Sequence, residues 1–158
     1  MKAAEIIKLI ICCGLVLGIG LAGAFFTTNS SEWYQALAKP AFTPPGWVFA
    51  PVWTVLYLLI GVSAFLVWRK GLANAAGKTA AAAFILQLIF NALWTPIFFG
   101  LKQPLIAMMD IVMLWLAIIT TIISFWKVSR PAAILLVPYI IWVSFASVLN
   151  FSIYWLNR

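Results

Sequence analysis

Apolar residues fill five long stretches of the chain, and polar or charged residues gather in the intervals between them. Each stretch is about 20 residues long, the length at which an α-helix crosses a hydrocarbon layer of roughly 30 Å. The pattern therefore predicts an all-α fold, a bundle of five transmembrane helices forming a single domain over residues 1–158. We expect these helices at approximately residues 6–26, 48–68, 79–99, 104–126 and 132–155.

The first stretch also has features of a secretory signal peptide. Lys2 and Lys8 precede an apolar run that reaches Ala22 to Ala24, a small-x-small cleavage pattern. Because the apolar run continues through Phe26 and is long enough to span, we interpret it as the first transmembrane helix. Cleavage after this run is the alternative.

The connection between the first two stretches, residues 27–47, is long, and it is rich in proline towards its end. Asn29 to Glu32 is typical of a helix start with a polar side chain as cap, which predicts a short helix from Ser31 to Ala38. Four prolines between Pro40 and Pro51 then keep the chain extended or turned. We expect loop 27–47 to form a lid over one end of the bundle.

Composition supports the membrane assignment, since 66% of residues are hydrophobic, 8% are charged and the mean hydropathy is +1.12. A water-facing surface would be roughly a quarter to a third charged. The net charge of +7 comes from cations near the ends of the predicted helices. There they act as topology signals and contact lipid headgroups, and no nucleic-acid motif accompanies them. We therefore expect membrane lipid, and no nucleic acid, as a partner.

The cations also predict an orientation. With five spans, one side of the membrane receives Lys2, Lys8, Arg69, Lys70, Lys78, Lys127 and Arg130, and the other receives Lys39, Lys102 and Arg158. The positive-inside rule then places the N-terminus in the cytoplasm, and the first loop and the C-terminus outside. This distribution, with a short N-terminus, suits a bacterial plasma membrane.

Metal and haem chemistry are disfavoured by the residue inventory. The chain has no histidine, and its two cysteines are the neighbours Cys12 and Cys13, which point in different directions on a helix. Histidine is the commonest metal ligand and haem axial ligand. We expect no metal site and no resident cofactor.

Large aromatic residues and amides share one face of three predicted helices. Positions three and four apart on a helix are neighbours, and this spacing relates Trp53 to Tyr57 in the second stretch. The same spacing connects Gln87, Asn91, Trp94 and Phe98 in the third stretch, and Tyr139, Trp142, Ala146 and Asn150 in the fifth.

These stripes are expected to point into the bundle, because an amide that faces lipid lacks hydrogen-bond partners. Each stripe alone is typical of helix packing and of interhelical hydrogen bonding. Together, the aromatic residues predict a concave site for a large flat apolar ligand: Trp53, Tyr57, Trp94, Tyr139 and Trp142.

Asp110 is the acidic residue placed within a predicted span, so it is a functional candidate. We favour structural hydrogen bonding over proton chemistry, because neither a histidine nor a second acid stands in the spans to form a relay.

Small residues and prolines shape the predicted helices. Gly14, Gly18 and Ala22 form a strip that permits close helix approach, either within the bundle or between protomers. Ala76, Gly77, Ala80 and Ala81 could serve the same purpose, and Pro96 and Pro138 are expected to kink their helices.

Five ordered blocks of residues give the chain a family resemblance. They are Trp33-Tyr34 with Leu37-x-Lys39-Pro40, Pro44-Pro45 through Pro51-x-Trp53-Thr54-x-Leu56-Tyr57, Gln87-Leu88-x2-Asn91-x2-Trp94-x-Pro96-x-Phe98-Phe99-Gly100, Ala107-x2-Asp110, and Val137-Pro138-Tyr139-x2-Trp142-x3-Ala146-x2-Leu149-Asn150. With these blocks the chain resembles the tryptophan-rich sensory proteins, a family that includes the mitochondrial translocator protein, or peripheral benzodiazepine receptor. The chain looks like a bacterial member.

The resemblance implies a five-helix membrane protein, commonly a homodimer, that binds porphyrins such as protoporphyrin IX and isoquinoline or benzodiazepine-type drugs below the first loop. By motif position, the pocket would be lined by Trp53, Asn91, Trp94, Tyr139, Trp142 and Ala146 and closed by Tyr34, Pro44 and Pro45. Tyr57, Gln87 and Asp110 complete the predicted ligand-binding set.

The chain departs from the family's sterol-binding pattern in the last helix. Phe151 stands where the tyrosine of that pattern is expected, and Trp155 stands where the arginine is expected. A looser pattern of Val148, Tyr154 and Arg158 is a weak motif. Cholesterol is therefore a doubtful partner.

Three functions follow from the resemblance. The first is a receptor or sensor for porphyrins, the second is light- and oxygen-dependent porphyrin degradation with Trp53 and Trp142 as catalytic residues, and the third is transport of porphyrin or lipid. No internal repeat is visible in the sequence, which disfavours transport by inverted repeats. We favour binding.

Overall fold

A computed structural model describes residues 3–158, and every regular element in that range is helical, which confirms the all-α prediction. The α-helices are α1 Ala3–Asn29, α2 Ser31–Ala36, α3 Phe49–Lys70, α4 Ala75–Thr95, α5 Pro104–Trp126, α6 Arg130–Leu135 and α7 Val137–Leu156. A 3-10 turn, Gly46–Val48, leads into α3, and a π-helical turn, Pro96–Gly100, continues α4.

Five helical units are long and apolar enough to cross a membrane, so the predicted number of spans is confirmed. They are Ala3–Asn29, Gly46–Lys70, Ala75–Gly100, Pro104–Trp126 and Arg130–Leu156. Several extend beyond the predicted bounds, because hydropathy marks the apolar part of a helix whereas its hydrogen bonds continue into the polar ends.

The helix ends show which polar side chains act as caps. Asn74 caps α4, since its Oδ1 accepts a hydrogen bond from the Gly77 N–H at 2.7 Å. Gly71 follows α3 with φ of 104°, a conformation in which a side chain would be strained. A polar residue does stand at the N-cap of α2, Ser30, but its side chain makes no cap: its Oγ instead donates to the Phe99 carbonyl at 2.7 Å and ties the start of α2 to the end of the third span.

The α2 helix is shorter than predicted and ends at Ala36, because the backbone becomes extended at Leu37, with φ of −67° and ψ of 142°. The Lys39 Nζ donates to the carbonyls of Tyr34, Gln35 and Leu37 at 2.7, 3.0 and 3.0 Å. These carbonyls lie at the C-terminal end of α2, where a cation is favourable.

Both prolines that were predicted to kink their helices stand where the regular α-helix is interrupted. The fifth span divides at Leu136 into α6 and α7, and Pro138 stands in the first turn of α7. Pro96 opens the π-helical turn that ends the third span. Proline lacks a backbone donor, so the regular hydrogen-bond ladder cannot continue through either site.

The helices form a bundle in which α5 lies between α4 and α7, while α1 packs along α3. The backbones of α1 and α3 approach closely at Gly61, where an added Cβ would lie 2.7 Å from the Cys13 Cα. By contrast, α3 makes few backbone contacts with α4 and α7, so side chains fill the space between these three helices. Buried residues such as Ile60, Ile118 and Phe125 form the core.

Of the two predicted small-residue strips, one packs inside the bundle and the other faces outward. Gly77 is buried at the start of α4, where a Cβ would lie 2.6 Å from the Gly71 carbonyl oxygen, and Ala80 is also buried. Gly14 and Gly18 have no atom within 4 Å of a built Cβ, and Ala22 is exposed. The strip on α1 therefore has no packing role within the described bundle.

Candidate ligand-binding site

Side chains from α3, α4, α5 and α7 surround a small cavity inside the bundle. Its lining comprises Trp53, Tyr57, Asn91, Trp94, Thr95, Ile111, Leu114, Val143 and Ala146. Five of these residues were predicted from the sequence: Trp53, Tyr57, Asn91, Trp94 and Ala146. The cavity volume is about 20 Å³, room for about one water molecule. The aromatic walls therefore largely fill the space that they enclose.

Trp53 and Tyr57 form one wall, and they share a face of α3 as their spacing predicts. Their rings are stacked with centroids 5.2 Å apart and planes 30° apart. Trp53 also meets Tyr139 of α7 edge to face, with centroids 6.4 Å apart. Aromatic pairs in such arrangements add attraction beyond the apolar area that they bury.

A chain of hydrogen bonds leads from this wall into the core. The Tyr57 hydroxyl donates to Asn91 Oδ1 at 3.3 Å, and Asn91 Nδ2 donates to Tyr139 Oη at 2.8 Å. The Tyr139 hydroxyl donates in turn to Gln87 Oε1 at 3.1 Å. The predicted inward direction of Gln87, Asn91 and Tyr139 is thus confirmed, and each is buried, although Gln87 and Tyr139 do not line the cavity.

Trp94 is fixed by two neighbouring spans. Its Nε1 donates to Asn150 Oδ1 at 3.0 Å, and Asn150 Nδ2 donates to the Pro104 carbonyl at 2.8 Å. The Trp94 ring stacks on Phe98 with centroids 5.1 Å apart and planes 20° apart. The stripe that contains Asn150 predicted its inward direction, and the structure shows that its amide positions a wall of the cavity.

Trp142 lies outside the cavity lining. Its ring centroid is 5.9 Å from that of Phe49 at the start of α3 and 5.4 Å from that of Phe145. Its Nε1 is buried and has no hydrogen-bond partner among residues 3–158. Of the two tryptophans that the sequence pattern grouped together, only Trp53 therefore lines the cavity.

Asp110 is buried on α5, next to the cavity residue Ile111, but is not part of the lining. We expected a structural hydrogen bond to this carboxyl group. Its Oδ2 has no hydrogen-bond partner within the part of the chain that the structure describes.

Within the lid, α2 packs on the end of the third span. Tyr34 lies 5.5 Å from Phe99 and 6.3 Å from Phe98 between ring centroids, and the Lys39 Nζ lies 4.9 Å from the centroid of the Tyr34 ring. Burial raises the pKa of the Tyr34 hydroxyl.

The two prolines of the lid stand before α3. The Pro45 carbonyl accepts the hydrogen bond from the Val48 N–H, at 3.0 Å, that closes the 3-10 turn. Pro44, Pro45 and Tyr34, the predicted closing residues, do not line the cavity.

Sequence reasoning missed four lining residues: Thr95, Ile111, Leu114 and Val143. Ile111 and Leu114 are three positions apart on one face of α5, and Val143 follows Tyr139 by four positions. Periodicity could have placed them inside the bundle. Their apolar side chains do not stand out from an apolar background, so no pattern marked them as lining a site.

Comparison with known proteins relates this chain to one family. The model of the TspO/MBR family matches residues 11–156. The chain is 44% identical over 154 residues to the tryptophan-rich protein TspO of Chlorobaculum tepidum, covering 97% of this chain and 98% of that protein. It is 46% identical over 154 residues to the protein of the same name from Archaeoglobus fulgidus, covering 97% and 99%. It is 36% identical over 143 residues to the human translocator protein, covering 87% and 82%.

Proposed function

The chain belongs to the TspO/MBR family of membrane proteins, and on that premise we propose that it is a receptor or sensor for porphyrins of the protoporphyrin IX type. The same aromatic pocket would take isoquinoline- or benzodiazepine-like drugs. The proposed ligands share a large flat apolar ring system, which binds by stacking and is oriented by few polar contacts.

The observation that carries this proposal is the lining of the cavity between α3, α4, α5 and α7. Trp53, Tyr57 and Trp94 supply aromatic surface, while the Tyr57 hydroxyl and the Asn91 amide supply polar groups at the same wall. A flat apolar molecule with a few heteroatoms matches this combination of surface and polarity.

Binding requires the walls to separate, because drug-sized ligands occupy pockets of roughly 300–1,000 Å³. The cavity of about 20 Å³ is far smaller. The backbone of α3 makes few contacts with α4 and α7, whereas it packs closely on α1 and α6, so side chains rather than backbones separate α3 from Trp94. A displacement of α3 would move the Trp53–Tyr57 wall away from Trp94.

Titration of protoporphyrin IX against the purified protein in detergent tests the proposal, with quenching of tryptophan fluorescence as the readout. Trp53→Phe replaces the indole by a smaller ring and reduces the aromatic surface of the cavity wall, and we expect it to weaken binding about tenfold. This corresponds to about 1.4 kcal/mol of stacking. Trp142→Phe tests whether the ligand also reaches the second predicted tryptophan, which lies outside the cavity lining. Trp47→Phe is the matched control, because Trp47 is 76% exposed. An unchanged titration for Trp53→Phe would exclude this site.

A second candidate function is light- and oxygen-dependent degradation of the bound porphyrin, with Trp53 and Trp142 as the catalytic residues. The structural support concerns Trp53, which lies 5.2 Å from Tyr57 and 6.4 Å from Tyr139 between ring centroids, so that three oxidisable rings are close together. An indole at this position could donate an electron to an excited porphyrin. Illumination under oxygen, with the porphyrin absorption band followed over time, separates degradation from binding. Equal bleaching by wild type and by a double variant that still binds would exclude catalysis.

We propose a membrane orientation and an oligomeric state for the protein. We place the lid and C-terminus outside a bacterial plasma membrane and the N-terminus inside, as the cation distribution indicates.

We also propose a homodimer. The exposed strip of Gly14, Gly18 and Ala22 on α1 supports it, since these small residues permit a second helix to approach closely. Crosslinking in membranes, with Gly18→Leu as the disrupting variant, tests this assembly.

A further inference from the structure

The hydrogen-bond chain beside the cavity ends at the side-chain amide of Gln87, whose oxygen is hydrogen-bonded and whose nitrogen is not, within the described part of the chain. Gln87 is 1% exposed, its Oε1 accepts from the Tyr139 hydroxyl, and its Nε2 is buried without a partner among residues 3–158. An unpaired buried donor costs free energy, so a native structure retains one only for a reason.

The chain can reverse its direction without losing a bond. In the structure, donation runs from Tyr57 through Asn91 and Tyr139 to Gln87. If both amides turn by half a rotation, Gln87 Nε2 donates to Tyr139, the Tyr139 hydroxyl donates to Asn91 Oδ1, and Asn91 Nδ2 donates to Tyr57 Oη. Each arrangement contains three hydrogen bonds, because an amide offers both donors and an acceptor and a phenol offers one of each.

The two arrangements differ in what they present to the cavity. In the first, the Tyr57 hydrogen is engaged with Asn91, and its oxygen can accept a hydrogen bond from a ligand. In the reversed chain, the oxygen is engaged by Asn91 Nδ2, and the hydroxyl hydrogen is available to a ligand acceptor. Tyr57 and Asn91 both line the cavity, so this change occurs at the wall that a ligand would meet.

We propose that this chain is a reversible polarity switch, which lets one aromatic pocket bind planar ligands that carry a ring N–H and planar ligands that carry only an acceptor. Gln87 is the positioning residue that permits reversal, since its amide can serve Tyr139 with either polarity. The inference rests on the proposed function, and it gives a physical reason for one site to take both porphyrins, which have pyrrole N–H groups, and isoquinolines, which have a ring nitrogen acceptor.

Three tricyclic probes of matching shape test the switch: carbazole has a ring N–H, fluorenone has a carbonyl acceptor, and fluorene has neither. We expect the wild type to bind carbazole and fluorenone each about tenfold more tightly than fluorene, the usual contribution of one hydrogen bond in a dry site. A chain fixed in one direction would favour one of the two. That result would overturn the proposal.

Gln87→Met removes both functions of the amide with little change in shape. The Tyr139 hydroxyl then has Asn91 Oδ1 as its remaining acceptor in the chain, which fixes the reversed direction. We expect the ratio of carbazole affinity to fluorenone affinity to fall about tenfold, while fluorene binding stays constant. Gln103→Met, in the exposed connection before α5, is the matched control. An unchanged ratio in Gln87→Met would overturn the proposal.

A second variant keeps the test decisive if Gln87→Met does not fold. Tyr57→Phe removes the hydroxyl at the cavity wall, so carbazole and fluorenone should both fall to the affinity of fluorene. A selective loss of one probe would overturn the switch.

If the wild type binds protoporphyrin IX but does not distinguish the three probes, the switch is excluded and the proposed function stands. If it binds neither porphyrin nor probes, the proposed function fails, and the switch with it.

Discussion

The side-chain amide of Asn157, at the end of the last span, holds the backbone of Ala38 in the lid. Its Nδ2 donates to the Ala38 carbonyl and its Oδ1 accepts from the Ala38 N–H, each at 2.9 Å. A further bond from Nδ2 to the Ile153 carbonyl, at 2.7 Å, fixes the amide on α7. The two residues are 119 positions apart, so this pair joins the lid to the far end of the chain.

Asn157→Ala is expected to loosen the lid. Both bonds to Ala38 lie at an exposed site, so their combined contribution is about 1 kcal/mol, and local opening should become about fivefold more frequent. Hydrogen exchange of the Ala38 amide, measured by mass spectrometry in detergent, reports this opening directly.

Ser152→Ala is the matched control for the lid experiment. Ser152 is on the same helix, and its Oγ donates to the Val148 carbonyl of its own helix. Its removal should leave exchange at Ala38 unchanged. Equal exchange in wild type and Asn157→Ala would show that the hydrogen-bonded pair does not hold the lid.

The fold was predictable because its main determinant is local. Apolar stretches of membrane-spanning length fix the number of helices, and an inward amide such as Asn91 fixes the rotation of its helix, since lipid offers it no partner. The same logic identified one wall of the site, because Trp53 and Tyr57 are one turn apart in a single helix.

The remaining features depend on pairs that are distant in sequence. Nothing near Ser30 predicts that its hydroxyl bonds to Phe99 instead of capping α2, and nothing near Asn157 predicts Ala38 as its partner. The placement of Trp142 outside the cavity also follows from how α3 and α7 meet, and not from spacing on α7. Tertiary contacts decide all three.

Trp94→Phe is expected to lower the free energy of unfolding in detergent by about 1–3 kcal/mol, which shows as a lower unfolding temperature. The substitution keeps an aromatic ring but removes the N–H that bonds to Asn150, and Asn150 Oδ1 is left buried without its donor. Trp47→Phe makes the same chemical change at an exposed position and should have little effect. Equal unfolding temperatures for the two variants would contradict the role assigned to the Trp94–Asn150 bond.

Ser144→Ala tests the contact between α5 and α7. The Ser144 Oγ accepts a hydrogen bond from Trp115 Nε1 at 2.8 Å, so the substitution leaves the indole N–H unpaired and should cost about 1–3 kcal/mol. Ser147→Ala is a closely matched control on the same helix, because the Ser147 hydroxyl donates to the carbonyl of Val143 within α7. Thermal unfolding in detergent measures both. A loss as large for Ser147→Ala as for Ser144→Ala would argue against a specific interhelical bond.

Gly61→Ala should disrupt the packing of α1 on α3, whereas Gly14→Ala should not. At Gly61 the added methyl group would lie 2.7 Å from the Cys13 Cα and 3.0 Å from its backbone nitrogen, and backbone atoms of a helix cannot move aside alone. The two helices must separate, at a cost of about 1–3 kcal/mol that shows as a lower unfolding temperature.

At Gly14 the methyl group meets no atom within 4 Å, and alanine favours a helix over glycine by about 1 kcal/mol. Gly14→Ala should therefore raise or preserve the unfolding temperature, measured under monomeric detergent conditions so that pairing between protomers does not contribute. The comparison uses one chemical change on two helices that share a contact, and equal effects would contradict the close approach at Gly61.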